Sequence, residues 1–255
     1  MHPDQTVANA LALSSCNVLD RENAQICGVS VQAIRHWRNG RRRDPSKRDP
    51  RRTSHCPRCD GDPLDSPAYA YLLGLYLGDG CITMGRKGVF SLQIACCNDW
   101  PGLIDAAQLA MSAVLPASSV FRRSRPGCTS VDSWSKHWPC LFPQHGSGRK
   151  HERRIALQTW QRSIVDAFPG QFARGLFHSD GYRGLNRIRR ELRSGDRWYA
   201  YPRYLFVNES ADIRELCGAV LDQLGVAWRY SKPNTISVAR REAVARLDEF
   251  VGPKY

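Results

Sequence analysis

No apolar run in the sequence approaches the roughly 20 residues that a membrane-spanning helix needs, so no membrane partner is expected. The opening residues, MHPDQTVANALALSSC, have neither a basic stretch nor a long apolar core. They do not read as a secretion signal, and a cytoplasmic location is expected, nucleoid-associated if the source is bacterial. Acidic residues are scarce: 24 Asp and Glu against 37 Lys and Arg leave a net charge of +13, which calls for a polyanionic partner. The ten cysteines, in a chain with no export signal, are better read as reduced thiols, core residues or metal ligands than as disulfides. What the chain does have is 42% hydrophobic residues over 255 positions, enough for one large domain or two modest ones with a small appendage.

Residues 18–40, VLDRENAQICGVSVQAIRHWRNG, place Ala24, Ile26, Val29, Ile34 and Trp37 at helical spacing on either side of a turn at Gly28. Ser30 is a natural N-cap for the second helix. The pattern resembles the helix-turn-helix units of resolvases and small repressors, in which the second helix enters the major groove. That resemblance makes Gln32, Arg35 and His36 candidates for base or phosphate contact; an ordinary two-helix hairpin is the plainer alternative. The following stretch, RNGRRRDPSKRDPRRTSH, is rich in Arg, Lys and Pro. It reads as a basic linker whose Arg38, Arg41, Arg42 and Arg43 track phosphates.

From Pro67 the chain alternates regularly. A helix, two strands, a helix, two strands and a helix fill residues 67–170, and the same order returns over 171–255. The predicted organisation is a helix-turn-helix over 1–42, a linker with a C-x-x-C over 43–66, and two related αββαββα repeats.

The helices that open the repeats carry the most information. Residues 72–80 read LLGLYLGDG and residues 173–181 read ARGLFHSDG. Aligned, they share Gly74 with Gly175, Asp79 with Asp180 and Gly80 with Gly181, and Gly78 matches Ser179. Each helix thus has a small-x-x-x-small stripe, which lets two backbones approach closely. An aspartate in a helix's last turn faces the negative end of the macrodipole, where it is disfavoured. A single Asp-Gly is most simply a turn, as Asp60-Gly61 is expected to be. Two copies, each followed by a paired-strand pattern, instead suggest two carboxylates that together hold Mg²⁺.

These paired motifs resemble the single-chain, two-repeat LAGLIDADG homing endonucleases and their regulator relatives, over roughly residues 67–250. The resemblance implies an α+β, pseudo-twofold saddle. Its sheets lie in the major groove of double-stranded DNA, and its motif helices meet between the halves. It implies Asp79 and Asp180 as metal ligands and Gly74, Gly78, Gly80, Gly175, Ser179 and Gly181 as packing positions. Family sites also use a polar residue after the second strand and a basic residue before the last helix of a half; the nearest positions are Asn98, Asn208 and Lys150. Leu77 and His178 stand where many members have an acid. With both repeats in one chain, a monomer is expected. Cleavage, non-cleaving transcriptional regulation and RNA binding of the maturase kind all remain open to such a chain, and the retained acids favour the first.

Two features lie outside this frame. Cys56, Cys59, Cys140 and His145 can close one tetrahedral Zn²⁺ site, or they form a turn of reduced cysteines beside a His-rich loop. Arg122, Arg123 and Arg125 in the first repeat, and Arg187, Arg189 and Arg190 in the second, flank strands that would face DNA.

Overall fold

The computed structural model describes residues 2–39, 55–192, 195–252 and 254, and divides into two units, 1–53 and 54–255. The first carries α1 (Asp4–Ser15), α2 (Asp20–Ile26) and α3 (Val31–Arg38). Gly28 takes φ +64 between α2 and α3, a left-handed conformation that costs glycine least, and the Ser30 hydroxyl accepts the Ala33 N–H. The turn and the cap are those read from the sequence. α1 is an addition: its Val7 and Ala10 complete a small core with Ala24, Ile34 and Trp37. The buried Asn23 ties α2 to α1 through the Ala10 carbonyl at 2.8 Å and the Ser14 hydroxyl at 2.9 Å. Arg41, Arg42 and Arg43 lie outside the described residues.

In the second unit, the first repeat runs α4 (Ser66–Leu77), β1 (Gly80–Met84), β2 (Phe90–Cys97), α5 (Pro101–Val114), β3 (Val120–Arg125) and β4 (Cys128–Ser135). A single turn, α6 (Trp138–Leu141), and α7 (Thr159–Ala167) complete it. The second repeat runs α8 (Pro169–Asp180), β5 (Gly181–Leu192), β6 (Gly195–Val207), α9 (Ala211–Gln223), β7 (Arg229–Lys232), β8 (Thr235–Val238) and α10 (Arg241–Val251). Both sheets are four-stranded and antiparallel, in the orders β1-β2-β4-β3 and β5-β6-β8-β7. The same strand order twice, from the same element order twice, is the α+β duplicated αββαββα architecture expected.

Each sheet buries one face under its helices, because side chains alternate along a strand. Leu92, Ile94 and Val131 line that face in the first sheet, and Tyr204, Phe206, Ile236 and Val238 in the second. The β5–β6 ribbon is longer than the sequence suggested, pairing from Gly181↔Phe206 out to Leu192↔Gly195. Its outer part, with Trp198 67% exposed, has no helix behind it, so the buried-exposed alternation that reveals a strand is missing there.

α4 and α8 meet at the centre. Every residue of α4 from Tyr69 to Leu77 is buried, so it is apolar all round rather than along one stripe. The backbones touch: a Cβ at Gly74 would lie 2.6 Å from the Phe172 carbonyl oxygen and 2.8 Å from the Gly175 Cα, and one at Gly175 would overlap the Tyr71 carbonyl. One turn on, Gly78 faces the Ser179 side chain, which a Cβ there would strike. Gly80 and Gly181 do not join this interface. A Cβ on Gly80 would strike Tyr76, and one on Gly181 would strike Phe177, so each lets a strand turn back over its own helix.

Gly175→Val is expected to cost more than about 3 kcal/mol in urea unfolding, because the obstructing atoms are backbone and cannot rotate away. Gly146→Ala, whose nearest neighbour is the flexible Arg153 side chain at 3.5 Å, should stay within about 1 kcal/mol of the parent.

Candidate active site

α4 ends at Leu77 with Gly78 as its C-cap, α8 ends at Asp180, and the contact between Gly78 and Ser179 brings these two C-termini together. Asp79 follows the cap of α4. A Cβ on Gly78 would sit 3.0 Å from Asp180 Oδ2, so the absence of a side chain there leaves room for that carboxylate. The two aspartates therefore share one place, at the negative ends of two helix dipoles.

Two lysines reach the same place. Lys150 Nζ donates to the carbonyls of Tyr76 at 2.5 Å, Leu77 at 3.1 Å and Gly78 at 2.6 Å, capping α4 with a positive charge. Lys254 Nζ donates to the Gly181 carbonyl at 2.6 Å, at the end of α8. Lys150 sits on a long loop held by a buried amide network. Gln144 Nε2 donates to Gln161 at 2.5 Å, Gln161 Nε2 to the Tyr69 hydroxyl at 2.7 Å, and that hydroxyl to the Leu141 carbonyl at 2.5 Å. The Arg153 guanidinium holds the Gly148 carbonyl at 2.7 Å. The loop is thereby locked under α4, and the lysine with it.

Burial raises both carboxylates. Asp180 is pushed up to about 6, first by desolvation and then by the charge of Asp79, against the pull of an Asn208 hydrogen bond and of both lysines. Asp79 is raised by burial, with Lys150 and Lys254 opposing. Desolvation lowers Lys150 to about 8, with Asp180 and Asp79 holding it up. Lys254 is lowered for the same reason. Asp180, Asn208 and Lys150 line an open groove of about 750 Å³ together with Cys81 and Thr83 of β1.

The pseudosymmetry breaks beside the acids. Asn208 Nδ2 donates to Asp180 Oδ2 at 2.5 Å. Asn98, at the equivalent place after β2, instead accepts from the Thr129 hydroxyl at 2.8 Å. His178 is buried between the Tyr71 hydroxyl at 3.0 Å and the Val251 carbonyl at 2.9 Å, and burial lowers it to about 4. It is a neutral packing group linking α4, α8 and the end of α10. Lys254 was not read from the sequence, because a lone lysine after the last helix has no pattern around it.

The strand arginines divide by register. Arg122 is paired with the buried Val131 and its guanidinium reaches Asp105 and Gln108 of α5, so it lies on the helix-covered side. Arg123 and Arg125 point to the open face, where Arg123 is tied to the buried Asp132. Arg187 and Arg189 share the side of Tyr204, and Arg189 bonds Asp196. The open face of the second sheet carries Tyr182, Asn186, Tyr201 and Arg203, together with the backbone position of Arg190. In the N-terminal unit Gln32 and His36 are exposed on α3, while Arg35 and Arg38 bridge to Asp20 at 3.3 and 2.6 Å.

No family model and no curated protein matches the sequence. Solved structures similar to the chain include the homing endonuclease I-DmoI in complex with DNA and Mn, 14% identical, with a TM-score of 0.47 over 74% of this chain and 99% of that one. The LAGLIDADG meganuclease I-AabMI bound to uncleaved DNA is 12% identical, with a TM-score of 0.47 over 71% of this chain and 82% of that one. The meganuclease I-SmaMI bound to uncleaveable DNA is 10% identical, with a TM-score of 0.44 over 72% and 84%. Likenesses of this size add nothing to the strand order and helix pairing described above.

The raised carboxyl has a measurable sign. Folding lifts Asp180 from 3.8 to about 6, so the fold takes up a proton and loses stability as pH rises between those values. Asp180→Asn removes that loss. In metal-free protein its unfolding free energy relative to the parent should increase by on the order of 2–3 kcal/mol from pH 4 to pH 6.5. A difference that does not change with pH would show that the carboxylate is not held at the buried end of α8.

Proposed function

We propose that the chain is a double-stranded-DNA endonuclease of the LAGLIDADG kind, with Asp79 and Asp180 as ligands to divalent metal. The observation that carries this reading is the pair of buried, raised carboxylates at two touching helix ends. A fold has little use for two such charges at negative dipole ends unless a cation joins them. Their hard oxygens suit Mg²⁺. When bound, the ion would supply the Lewis acidity that activates water and stabilises the leaving oxygen of a phosphodiester.

The chain's own residues supply the rest. Asn208 fixes the Asp180 carboxylate by its 2.5 Å hydrogen bond, so that the other oxygen remains available. Lys150, fastened to three carbonyls, holds a positive charge beside the groove that offsets the approach of a phosphate. The net charge of +13 supplies the long-range attraction to a polyanion. On this reading, contact with base edges falls to the open faces: Gln93, Arg123 and Arg125 in the first sheet, Asn186, Tyr201 and Arg203 in the second. Gln32 and His36 of α3 supply a second contact. Arg122 is engaged by α5 on the helix-covered side instead, while Arg187 and Arg189 stay exposed on the outer part of the β5–β6 ribbon.

Incubation with a randomised double-stranded DNA library and Mg²⁺ should enrich a cleaved site. Asp79→Asn and Asp180→Asn should each lower cleavage at least about a hundredfold while binding weakens less than about tenfold. Sequence-specific binding with no metal-dependent cleavage on any substrate would overturn the nuclease reading in favour of a regulator.

A further inference from the structure

The C-x-x-C near the start of the second unit plays no part in the chemistry proposed for the carboxylates. Cys56 and Cys59 lie on a tight turn in which the N–H groups of Cys59 and Asp60 donate to the Cys56 carbonyl at 3.2 and 2.9 Å. Asp60 Oδ2 in turn accepts the Cys56 N–H at 3.1 Å. His137 and Cys140 have the same two-residue spacing at the start of α6, where the Cys140 N–H donates to the His137 carbonyl at 3.0 Å. The two turns face each other. One donor atom from each of Cys56, Cys59, His137 and Cys140 can be chosen so that all four lie within 4.8 Å of one another.

The spacings have the dimensions of a coordination sphere. Cys59 Sγ and Cys140 Sγ are 3.5 Å apart, and Cys140 Sγ is 3.8 Å from His137 Nδ1. A disulfide needs about 2.0 Å between sulfurs, so 3.5 Å is not a bond. Four ligands on a tetrahedral Zn²⁺, with Zn–S near 2.3 Å and Zn–N near 2.0 Å, have edges of roughly 3.5–3.8 Å. Three soft thiolates and one imidazole, with no carboxylate among them, select zinc over the hard cations that suit Asp79 and Asp180. His145, expected from the sequence as the fourth ligand, is elsewhere: its ring packs edge-on against Phe90 at 5.6 Å.

We propose that Cys56, Cys59, His137 and Cys140 form a structural Zn²⁺ site. The site links two positions 81 apart in sequence, Cys59 and Cys140, and clamps the first described segment of the second unit onto α6. Arg58, between the cysteines, already stacks over Trp160 of α7 at 4.5 Å. The clamped α6 leads directly into the loop that carries Gln144 and Lys150, so zinc fixes the framework from which that lysine reaches the carboxylates. With four protein ligands the ion has no open position, and its role is architectural.

Elemental analysis of the full-length protein, purified reduced and without chelator, should give about one zinc per chain, as a closed four-ligand site requires. His137→Ala and Cys140→Ser should lose it, and His145→Ala and the double variant Asp79→Asn/Asp180→Asn should keep it. Where a ligand variant fails to fold, Co²⁺ added to zinc-stripped parent decides. The proposal requires the intense visible bands of tetrahedral thiolate-bound cobalt at one equivalent, displaced by Zn²⁺. Retention of zinc by His137→Ala, loss of it in the aspartate double variant, octahedral cobalt spectra, or a Cys59–Cys140 disulfide by mass spectrometry would each overturn it.

Discussion

Two helix backbones in contact govern the rest of the second unit. At the crossing of α4 and α8, Gly74 and Gly175 each leave no room for a side chain, and the atoms that would collide are carbonyls and amides of the other helix. Close packing of this kind is stiff, because backbone cannot rotate out of the way. It also determines where both helices end. With the crossing at Gly74 and Gly175, Gly78 meets Ser179 one turn later, and Asp79 and Asp180 arrive side by side. The sheets hang from this pair: Gly80 and Gly181 let β1 and β5 turn back at once over their own helices.

Bringing two carboxylates to that point has an electrostatic cost that the surroundings only partly offset. The helix dipoles and burial both disfavour negative charge there. Lys150 and Lys254 answer from opposite halves of the chain, each bonded to carbonyls at a different helix end. Yet Asp180 still stands near 6 and Lys150 near 8, so the acids are under-compensated and the base is desolvated. On the proposed reading, a divalent ion would relieve the repulsion between the acids.

The two halves are alike in topology and unlike in detail. The β5–β6 ribbon runs several residues beyond its counterpart β1–β2. Both open faces carry aromatic and basic side chains, Phe121, Arg123, Arg125 and Trp134 in the first sheet and Tyr182, Tyr201 and Arg203 in the second. Asn208 engages its aspartate and Asn98 does not. The first half alone carries the long locked loop with Lys150. An asymmetric surface of this kind suits a partner whose two halves differ, which a single chain with two repeats is free to recognise.

Much of this was legible in the sequence. The duplication follows from the matched LLGLYLGDG and ARGLFHSDG segments, and their small residues announce a close helix crossing because the steric rule is local. The turn at Gly28 and the cap at Ser30 follow from equally local chemistry. Properties that depend on distant parts of the chain were not legible. Alternation along β5 shows that Arg187 and Arg189 share the side of Arg183, but only the tertiary structure shows that α10 covers that side at Tyr204 and leaves it exposed farther out along the ribbon. His137 and His145 are equally plausible partners for Cys56 and Cys59 by composition. The fold of residues 137–145 turns one toward the sulfurs and the other toward Phe90. Lys254 has no signal of its own; it matters because α10 ends where α8 ends. Spacing and residue type determined the motifs, while side-chain direction across long sequence separations was decided by tertiary packing, since one residue of register reverses it.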